Sequence, residues 1–235
     1  MELSCDPLWF PIIRFGERNR WMSFLPITRV QFEHFLCDPK TPVEYSGNWY
    51  EQNMPSLTAQ GRPRLGIHMY QETNYFDCFL RNLDPIDGVN NLTNWYDQCF
   101  PVHLEIIGSR LPRDEEWVAC YRSMATQPPL AESQLKSLGL SWRASAILRR
   151  LWSLSPKWNS LAEQMFLVKG VFEWSKTEDK LGYRGCLHPT LSKNVVDHID
   201  PSAGAPRPGS GARDTHGFRL VFEFPHGIEL SAIRI

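Results

Sequence analysis

The hydrophobic pattern at the start of the chain predicts a strand, a turn and a helix in that order. Residues 21–25 follow a two-residue period and predict a strand that ends at Pro26. Thr28 and Gln31 have the three-residue spacing of a capping box, in which each end of the first turn hydrogen-bonds the other. A helix is therefore predicted over about residues 29–37.

Further helices are predicted over residues 70–83, over residues 92–100 and from about residue 115 to residue 124. Residues 38–68 are rich in Pro, Gly, Asn and Tyr and predict a long loop. Loops of this length are commonly functional, so this segment is a candidate binding loop.

Two strands are predicted in the last third of the chain, one from residues 165–168 running into residues 170–174 and one over residues 217–224. In the last of them, large apolar side chains fall on one face with a two-residue period. The members of that face are Phe218, Leu220, Phe222 and Phe224. Residues 200–215 are rich in Pro, Gly, Ser and Ala and are predicted to be flexible.

Residues 127–165 carry an apolar stripe with helical spacing, at Leu140, Ala144, Ile147, Leu148 and Leu151. Between residues 133 and 162 there are five basic residues and no acidic one. One interpretation is an amphipathic helix with a solvated basic face; the other is a docking surface for a partner with acidic groups, because Trp and Arg are enriched at binding hot spots. The candidate partner-binding residues are Trp142, Arg143, Arg149, Arg150, Trp152 and Trp158.

Length and charge limit the classes of protein. A chain of 235 residues fits one large domain or two small ones. Its net charge of −1 provides no general attraction for nucleic acid or an anionic membrane. No apolar run approaches the roughly 20 residues that cross a bilayer, and residues 1–7 lack the features of a signal peptide, so a cytoplasmic protein is expected.

Six cysteines are spread along the chain without a C-x-x-C pair. In a long chain without a signal peptide, reduced thiols that act as small hydrophobic groups are expected rather than disulfides. Cys37, Cys99 and Cys120 lie in predicted helices beside aromatic residues and are predicted to be core thiols.

Four short strings, in their order and spacing, resemble the formylglycine-generating enzyme, or sulfatase-modifying factor, family. They are residues 27–32 (ITRVQF), 110–117 (RLPRDEEW), 170–174 (GVFEW) and 217–221 (GFRLV), and the resemblance covers about residues 21–225. It implies an α+β, C-type-lectin-like fold with little regular secondary structure. The organisation expected is a single domain over residues 1–235 with a helical insertion at about residues 127–165.

The resemblance also implies a set of structural signature residues. They are Arg110, Glu116, Trp117, Glu173, Trp174, Arg184, Gly185, Gly217, Phe218 and Arg219. Where the family has a Thr or Ser helix cap, this chain has Arg113, and Asp114 is expected to replace that cap. Glu173 is predicted to be a buried carboxylate held by arginine or backbone amides. Gly170 replaces an Asn of the family's calcium site, which removes one oxygen ligand and leaves calcium binding open.

The copper chemistry of the family requires two thiolates four residues apart. Between residues 184 and 217 this chain has only Cys186, so that copper site is not expected. The iron-bearing helical domain of a related branch is also not expected. His188, His198 and His216 match no recognised metal-ligand spacing, and no metal or other cofactor is predicted.

Two functions follow from the resemblance and its departures. The first is a non-catalytic binding or scaffolding module that recognises a protein partner through its long loops and the basic, Trp-rich insert. By family analogy, such a module would be an accessory subunit of a bacterial regulatory or defence assembly. The alternative is a divergent metal-dependent oxidase that uses Cys186. A protein partner is expected, a membrane is not, and nucleic acid is disfavoured because no nucleic-acid motif accompanies the basic patch.

Overall fold

The computed structural model describes the chain in stretches separated by gaps, and the statements below refer to those stretches. They are residues 1–16, 19–28, 31, 34–35, 38, 85–101, 104–141, 144–146, 148–149, 159–166, 172–178, 180–184, 207–208, 216–228, 230–231 and 233–234. They contain both helices and strands, as an α+β protein requires.

A six-stranded antiparallel sheet, sheet A, joins distant parts of the chain. Its strands are β1 (Glu2–Cys5), β2 (Pro11–Phe15), β3 (Arg20–Ser23), β4 (Gly108–Arg110), β9 (Val221–Glu223) and β10 (Ile233–Arg234). They are arranged in the order β10-β1-β2-β3-β9-β4. Trp21 on β3 is paired with Phe222 on β9, so the strand predicted over residues 21–25 lies in the middle of this sheet.

A second, four-stranded sheet, sheet B, brings signature residues side by side. Its strands are β5 (Phe172–Thr177), β6 (Lys180–Arg184), β7 (Arg207–Pro208) and β8 (His216–Phe218), in the order β7-β6-β5-β8. Glu173 is paired with Arg184 on one side and with Gly217 on the other. Because β5 and β8 are parallel while the other pairs are antiparallel, sheet B is mixed.

The strand predicted over residues 217–224 is divided between the two sheets, so the prediction of one continuous strand is wrong. β8 ends at Phe218 and belongs to sheet B, whereas β9 begins at Val221 and belongs to sheet A. Arg219 and Leu220 form the crossing, and the Leu220 carbonyl accepts a hydrogen bond from the Ser23 amide at 2.9 Å. The apolar period records burial on both sides of the crossing but not the change of sheet.

Two long helices cover sheet A. Helix α1 (Pro85–Cys99) includes most of the predicted 92–100 helix but begins seven residues earlier, with a proline at its first position, where the missing amide is harmless. Helix α2 (Asp114–Ala125) matches the predicted 115–124 helix closely. The helix predicted from residue 29 is helical at Gln31, His34 and Phe35. The helix predicted over residues 70–83 lies outside the described residues.

The predicted insertion contains short helices. Helix α3 (Glu132–Lys136) is followed by helical residues 144–146 and 148–149, and then by helix α4 (Leu161–Phe166). The strand predicted from residue 165 is wrong there, because Met165 and Phe166 end α4. Buried Leu161, Ala162, Met165 and Phe166 have the one-, four- and five-residue separations of a helix face, which the sequence reading missed.

Alternating side chains of sheet A supply two hydrophobic cores, one on each face. Ile13, Met22 and Val221 point into a core shared with α2, α3 and α4, whereas their neighbours point into a core shared with α1. The neighbours are Ile12, Trp21 and Phe222. Trp117, Cys120 and Met124 are the α2 residues of the first core; Leu92, Trp95 and Tyr96 are among the α1 residues of the second.

Candidate functional site

Glu173 and Arg219 form a fully buried ion pair where the two sheets meet. The Arg219 Nε donates to Glu173 Oε2 at 2.6 Å, and its Nη2 donates to Oε1 at 2.7 Å. Trp117 Nε1 donates to the same Oε2 at 2.9 Å, and Arg219 also donates to the carbonyls of Phe24 and Met165. The prediction that Glu173 is a buried carboxylate held by arginine is confirmed. Both of its oxygens accept hydrogen bonds from these donors, so the side chain connects α2, β5 and the segment after β8.

Asp114 and Arg184 connect the start of α2 to sheet B. Arg184 Nη2 donates to Asp114 Oδ2 at 2.7 Å, and Ser175 Oγ donates to Oδ1 at 3.2 Å. The expectation that Asp114 caps α2 is wrong. Asp114 is the first residue of the helix rather than the residue before it, and its carboxylate binds Arg184, seventy positions away. Arg113 occupies the cap position, and its amide donates instead to Glu116 Oε2 at 2.9 Å.

The Glu116 carboxylate also accepts hydrogen bonds from two arginines. Arg110 donates to both of its oxygens, at 2.6 and 2.7 Å, and Arg20 Nη1 donates to Oε1 at 2.6 Å. Burial alone would raise the pKa of Glu116, but the hydrogen bonds from Arg110, the Arg113 amide and Arg20 lower that pKa to about 2. Glu116 is therefore ionised at neutral pH, and its hydrogen bonds connect β3, β4 and α2.

The remaining signature residues have packing positions. Trp174 and Phe218 are buried in the core beneath α1, and Gly217 lies beside Glu173 in sheet B. Gly185 lies outside the described residues. Among the described ionisable signature residues, Glu173 binds Arg219 and Glu116 binds Arg110, whereas Arg184 binds Asp114. These pairs connect strands and helices.

No candidate metal centre is found among the described residues. They contain no group of three or more His, Cys, Asp or Glu side chains that could hold a metal ion. The sulfur of Cys120 is in the core, where burial raises its pKa to about 12, which keeps it protonated and unreactive. Cys120 is a core thiol as predicted, Cys99 is half-buried, and Cys37, Cys186, His188 and His198 lie outside the described residues.

A groove, the insert groove, opens between α3 and the helical residues 144–146 and 148–149. Its volume is about 150 Å³, and its floor is formed by Leu135, Leu140 and Leu148. Of the apolar stripe predicted from the sequence, Ala144 and Leu148 are 0 and 2 % exposed and so face the body of the protein. An apolar cavity of about this size can hold a group as large as benzene.

The rim of the insert groove is charged. Lys136 pairs with Glu132 at 3.1 Å one helical turn away, while exposed Arg149 makes only a long 3.4 Å hydrogen bond to the Ser145 carbonyl among the described residues. Of the predicted partner-binding residues, Arg149 is thus placed on a surface groove. The others lie outside the described residues: Trp142, Arg143, Arg150, Trp152 and Trp158.

Asp6 organises the loop between β1 and β2. Its Oδ1 accepts the amides of Leu8 and Phe10 at 2.9 and 2.8 Å, and its Oδ2 accepts Gln31 Nε2 and the Tyr96 hydroxyl at 3.0 and 2.9 Å. Burial raises the pKa of Asp6 to about 6, and these hydrogen bonds oppose only part of the rise. The sequence reading did not single out this residue.

Trp9, at the tip of this loop, was also missed. Its backbone is in the left-handed region, with φ of 62°, and its side chain is 59 % exposed. The Trp9 amide donates to the Asp6 carbonyl at 2.9 Å, which closes a tight turn. The Asp6-Pro7 pair signals this turn in the sequence, but nothing in the sequence marks the tryptophan as exposed.

The Trp9 loop contacts the insert directly. The Trp9 carbonyl accepts the Ser141 amide at 3.3 Å, and Ser141 caps the following helix, since its Oγ accepts the Ala144 amide at 3.1 Å and its carbonyl accepts the Ser145 amide at 2.9 Å. That helix carries Arg149 on the groove rim. Trp9 and the insert groove therefore belong to one connected surface region.

Comparisons with known proteins add no relative from which function could be transferred. No protein-family model, no curated protein and no solved structure matches the chain. None of the described helices has the length and apolar character needed to cross a membrane.

Proposed function

We propose that the chain is a non-catalytic protein-binding module built on a formylglycine-generating-enzyme-like, C-type-lectin-like scaffold. The insertion at residues 127–165 is the binding element, and the two sheets are its support. In support of this proposal, Glu116 and Glu173 are both occupied by arginines in the interior. Residues of this kind hold a scaffold together and leave recognition to its surface.

The observation that carries the proposal is the insert groove. The groove, of about 150 Å³, is lined by Leu135, Leu140 and Leu148 beside the charged rim residue Arg149. Apolar pockets with a few polar groups at the rim are typical of recognition sites, and arginine is among the residues that contribute most to protein interfaces. The groove therefore suits an apolar side chain of a partner together with a neighbouring negative charge.

The wider setting is proposed by analogy with the family. The module acts as a cytoplasmic accessory subunit of a bacterial regulatory or defence assembly, and its partner is a protein rather than a nucleic acid or a membrane. Calcium binding near Gly170 stays a prediction, since that residue is outside the described stretches.

The test compares partner capture by the wild-type chain with capture by charge-reversal variants. The tagged full chain is incubated with lysate from its native cell, and captured proteins are quantified by mass spectrometry. Arg149→Glu is expected to remove a specific partner, because the negative charge repels the acidic group that the rim binds. Lys176→Glu is the matched control, since Lys176 is an exposed cation on β5, away from the groove lining; it is expected to retain the partner.

Two results would contradict the proposal. Equal capture by wild type and Arg149→Glu would remove the insert groove from recognition. Stoichiometric copper or iron in the purified protein, lost in Cys186→Ser, would favour the divergent oxidase instead. The two measurements are independent, so each can fail without the other.

A further inference from the structure

Trp9 departs from the usual preferences of tryptophan in both its backbone conformation and its exposure. It takes a left-handed backbone conformation, with φ of 62°, that glycine or asparagine adopts at lower cost than a bulky residue. It also leaves more than half of the surface of a large aromatic residue, 59 %, exposed to solvent. Residues that violate local preferences in this way are concentrated at functional positions.

The loop holds Trp9 in a fixed position. Asp6 and Phe10 close the loop, with the Asp6 amide donating to the Phe10 carbonyl at 2.8 Å. The buried Asp6 carboxylate receives two loop amides as well as Gln31 and Tyr96 from the core. A side chain presented by such a braced loop loses little conformational freedom when a partner binds, which favours affinity.

Its position relative to the insert groove is also set by hydrogen bonds. The Ser141 amide donates to the Trp9 carbonyl, and the Ser141 carbonyl accepts the amide of Ser145, which lines the groove. Two hydrogen bonds therefore connect the Trp9 backbone to the groove lining.

We propose that Trp9, the insert groove and Arg149 form one docking site for an acidic, aliphatic segment of a partner protein. This inference rests on the proposed function and names the chemistry of the partner. An aliphatic side chain fills the leucine floor of the groove, a neighbouring carboxylate binds Arg149, and the Trp9 ring covers an apolar part of the segment. The charged residues that line the groove are Glu132, Lys136 and Arg149, and Glu132 pairs with Lys136, so the charge of Arg149 favours an acidic group on the partner.

The first test separates a binding role of Trp9 from a structural one. Trp9→Asn places a residue that tolerates the left-handed conformation at the same position. We expect its denaturation midpoint to stay close to that of wild type, because the backbone strain that is removed offsets the contacts of the partly covered ring. A large decrease in the midpoint would show that the ring mainly stabilises the fold, and would overturn the inference.

The second test selects binders from a displayed library of random peptides on the full chain. We expect enrichment of peptides that combine aliphatic and acidic residues, with affinity reduced roughly tenfold or more by Trp9→Asn and by Arg149→Glu. Ile107→Asn is the matched control: Ile107 is 65 % exposed, adjoins β4 at the opposite edge of sheet A, and should leave affinity unchanged.

The outcomes distinguish the two proposals. Peptides that lose affinity in Arg149→Glu but not in Trp9→Asn would overturn the role of Trp9 and leave the proposed function standing. No enrichment, or enriched peptides that are basic or bind both variants like wild type, would overturn both. A concentration-dependent dimer that Trp9→Asn abolishes would identify a second copy as the occupant and overturn the acidic partner segment.

Discussion

The guanidinium of Arg219 binds both carboxylate oxygens of Glu173 in a site where the two side chains are 0 and 1 % exposed. β8 ends one residue before Arg219, and β9 begins two residues after it, so the pair lies at the crossing between the sheets. The same arginine binds the carbonyls of Ser23, the last residue of β3, and of Phe24, the residue after it. A single ion pair therefore ties sheet B to sheet A.

Glu173→Gln is expected to destabilise the protein by about 3–5 kcal/mol, because it leaves the Arg219 charge buried without its partner. Urea denaturation followed by circular dichroism measures this loss. Lys136→Gln, which removes the surface pair with Glu132, is the control and should change stability by less than about 1 kcal/mol. A similar effect of the two substitutions would show that the buried pair does not hold the sheets together.

Asp6 gives stability a component that falls as pH rises. Its folded pKa of about 6 lies above the ordinary value of 3.8, so the folded state binds its proton more tightly than the unfolded state does. The contribution of Asp6 protonation to the free energy of unfolding is complete below about pH 4. It falls as the pH rises and is gone above about pH 6. It amounts to about 3 kcal/mol at 1.36 kcal/mol per unit.

Asp6→Asn keeps an oxygen for the loop amides and cannot titrate. Plotted against pH, the free energy of unfolding of wild type minus that of Asp6→Asn should therefore decrease between about pH 4 and pH 6. The quantity is obtained from urea denaturation at a series of pH values. A flat difference would mean that Asp6 titrates near its ordinary pKa.

Glu116 has the opposite dependence. Its pKa of about 2 lies below the ordinary 4.5, so the stability that it supplies is present above about pH 4.5 and is lost as pH falls toward 2. Glu116→Gln should destabilise the protein at pH 7 and approach wild-type stability at low pH. Thermal unfolding at pH 7 and pH 3 compares the two proteins, and a constant difference would contradict the assignment.

Cys120 is expected to resist alkylation in the folded protein. Burial raises its pKa to about 12, and the attacking species in alkylation is the thiolate. Iodoacetamide treatment followed by peptide mapping should modify Cys120 in urea but not in native buffer. Equal modification in both would show that the α2 core opens readily.

Local interactions were the part of the structure that sequence could predict. The Thr28 and Gln31 spacing predicted a capping box, and the Thr28 amide does donate to Gln31 Oε1 at 2.8 Å while the Gln31 amide is 3.4 Å from Thr28 Oγ1. The helical stripe through Ala144 and Leu148 likewise predicted two buried residues. Such interactions depend on residues three or four positions apart, so their partners are visible in the sequence.

Interactions between distant residues overturned local expectations. Asp114 was expected to cap α2, but Arg184 binds its carboxylate across seventy residues. The alternation from Phe218 to Phe224 predicted one strand. Instead, Arg219 binds Glu173, and the chain passes from sheet B to sheet A at this residue. Trp9 was missed for a related reason: an aromatic residue is ordinarily evidence of burial, and only the folded chain shows this one exposed.

The pairing of β3 with β9 has a consequence for synthesis on the ribosome. Trp21 pairs with Phe222, about two hundred residues later, so the inner edge of the early β1-β2-β3 meander has no partner until β9 has been translated. At about 5–20 residues per second, that edge waits roughly 10–40 s. An unpaired strand edge templates association with other chains, so nascent chains of this protein are most exposed to aggregation, and most in need of a chaperone, during that interval.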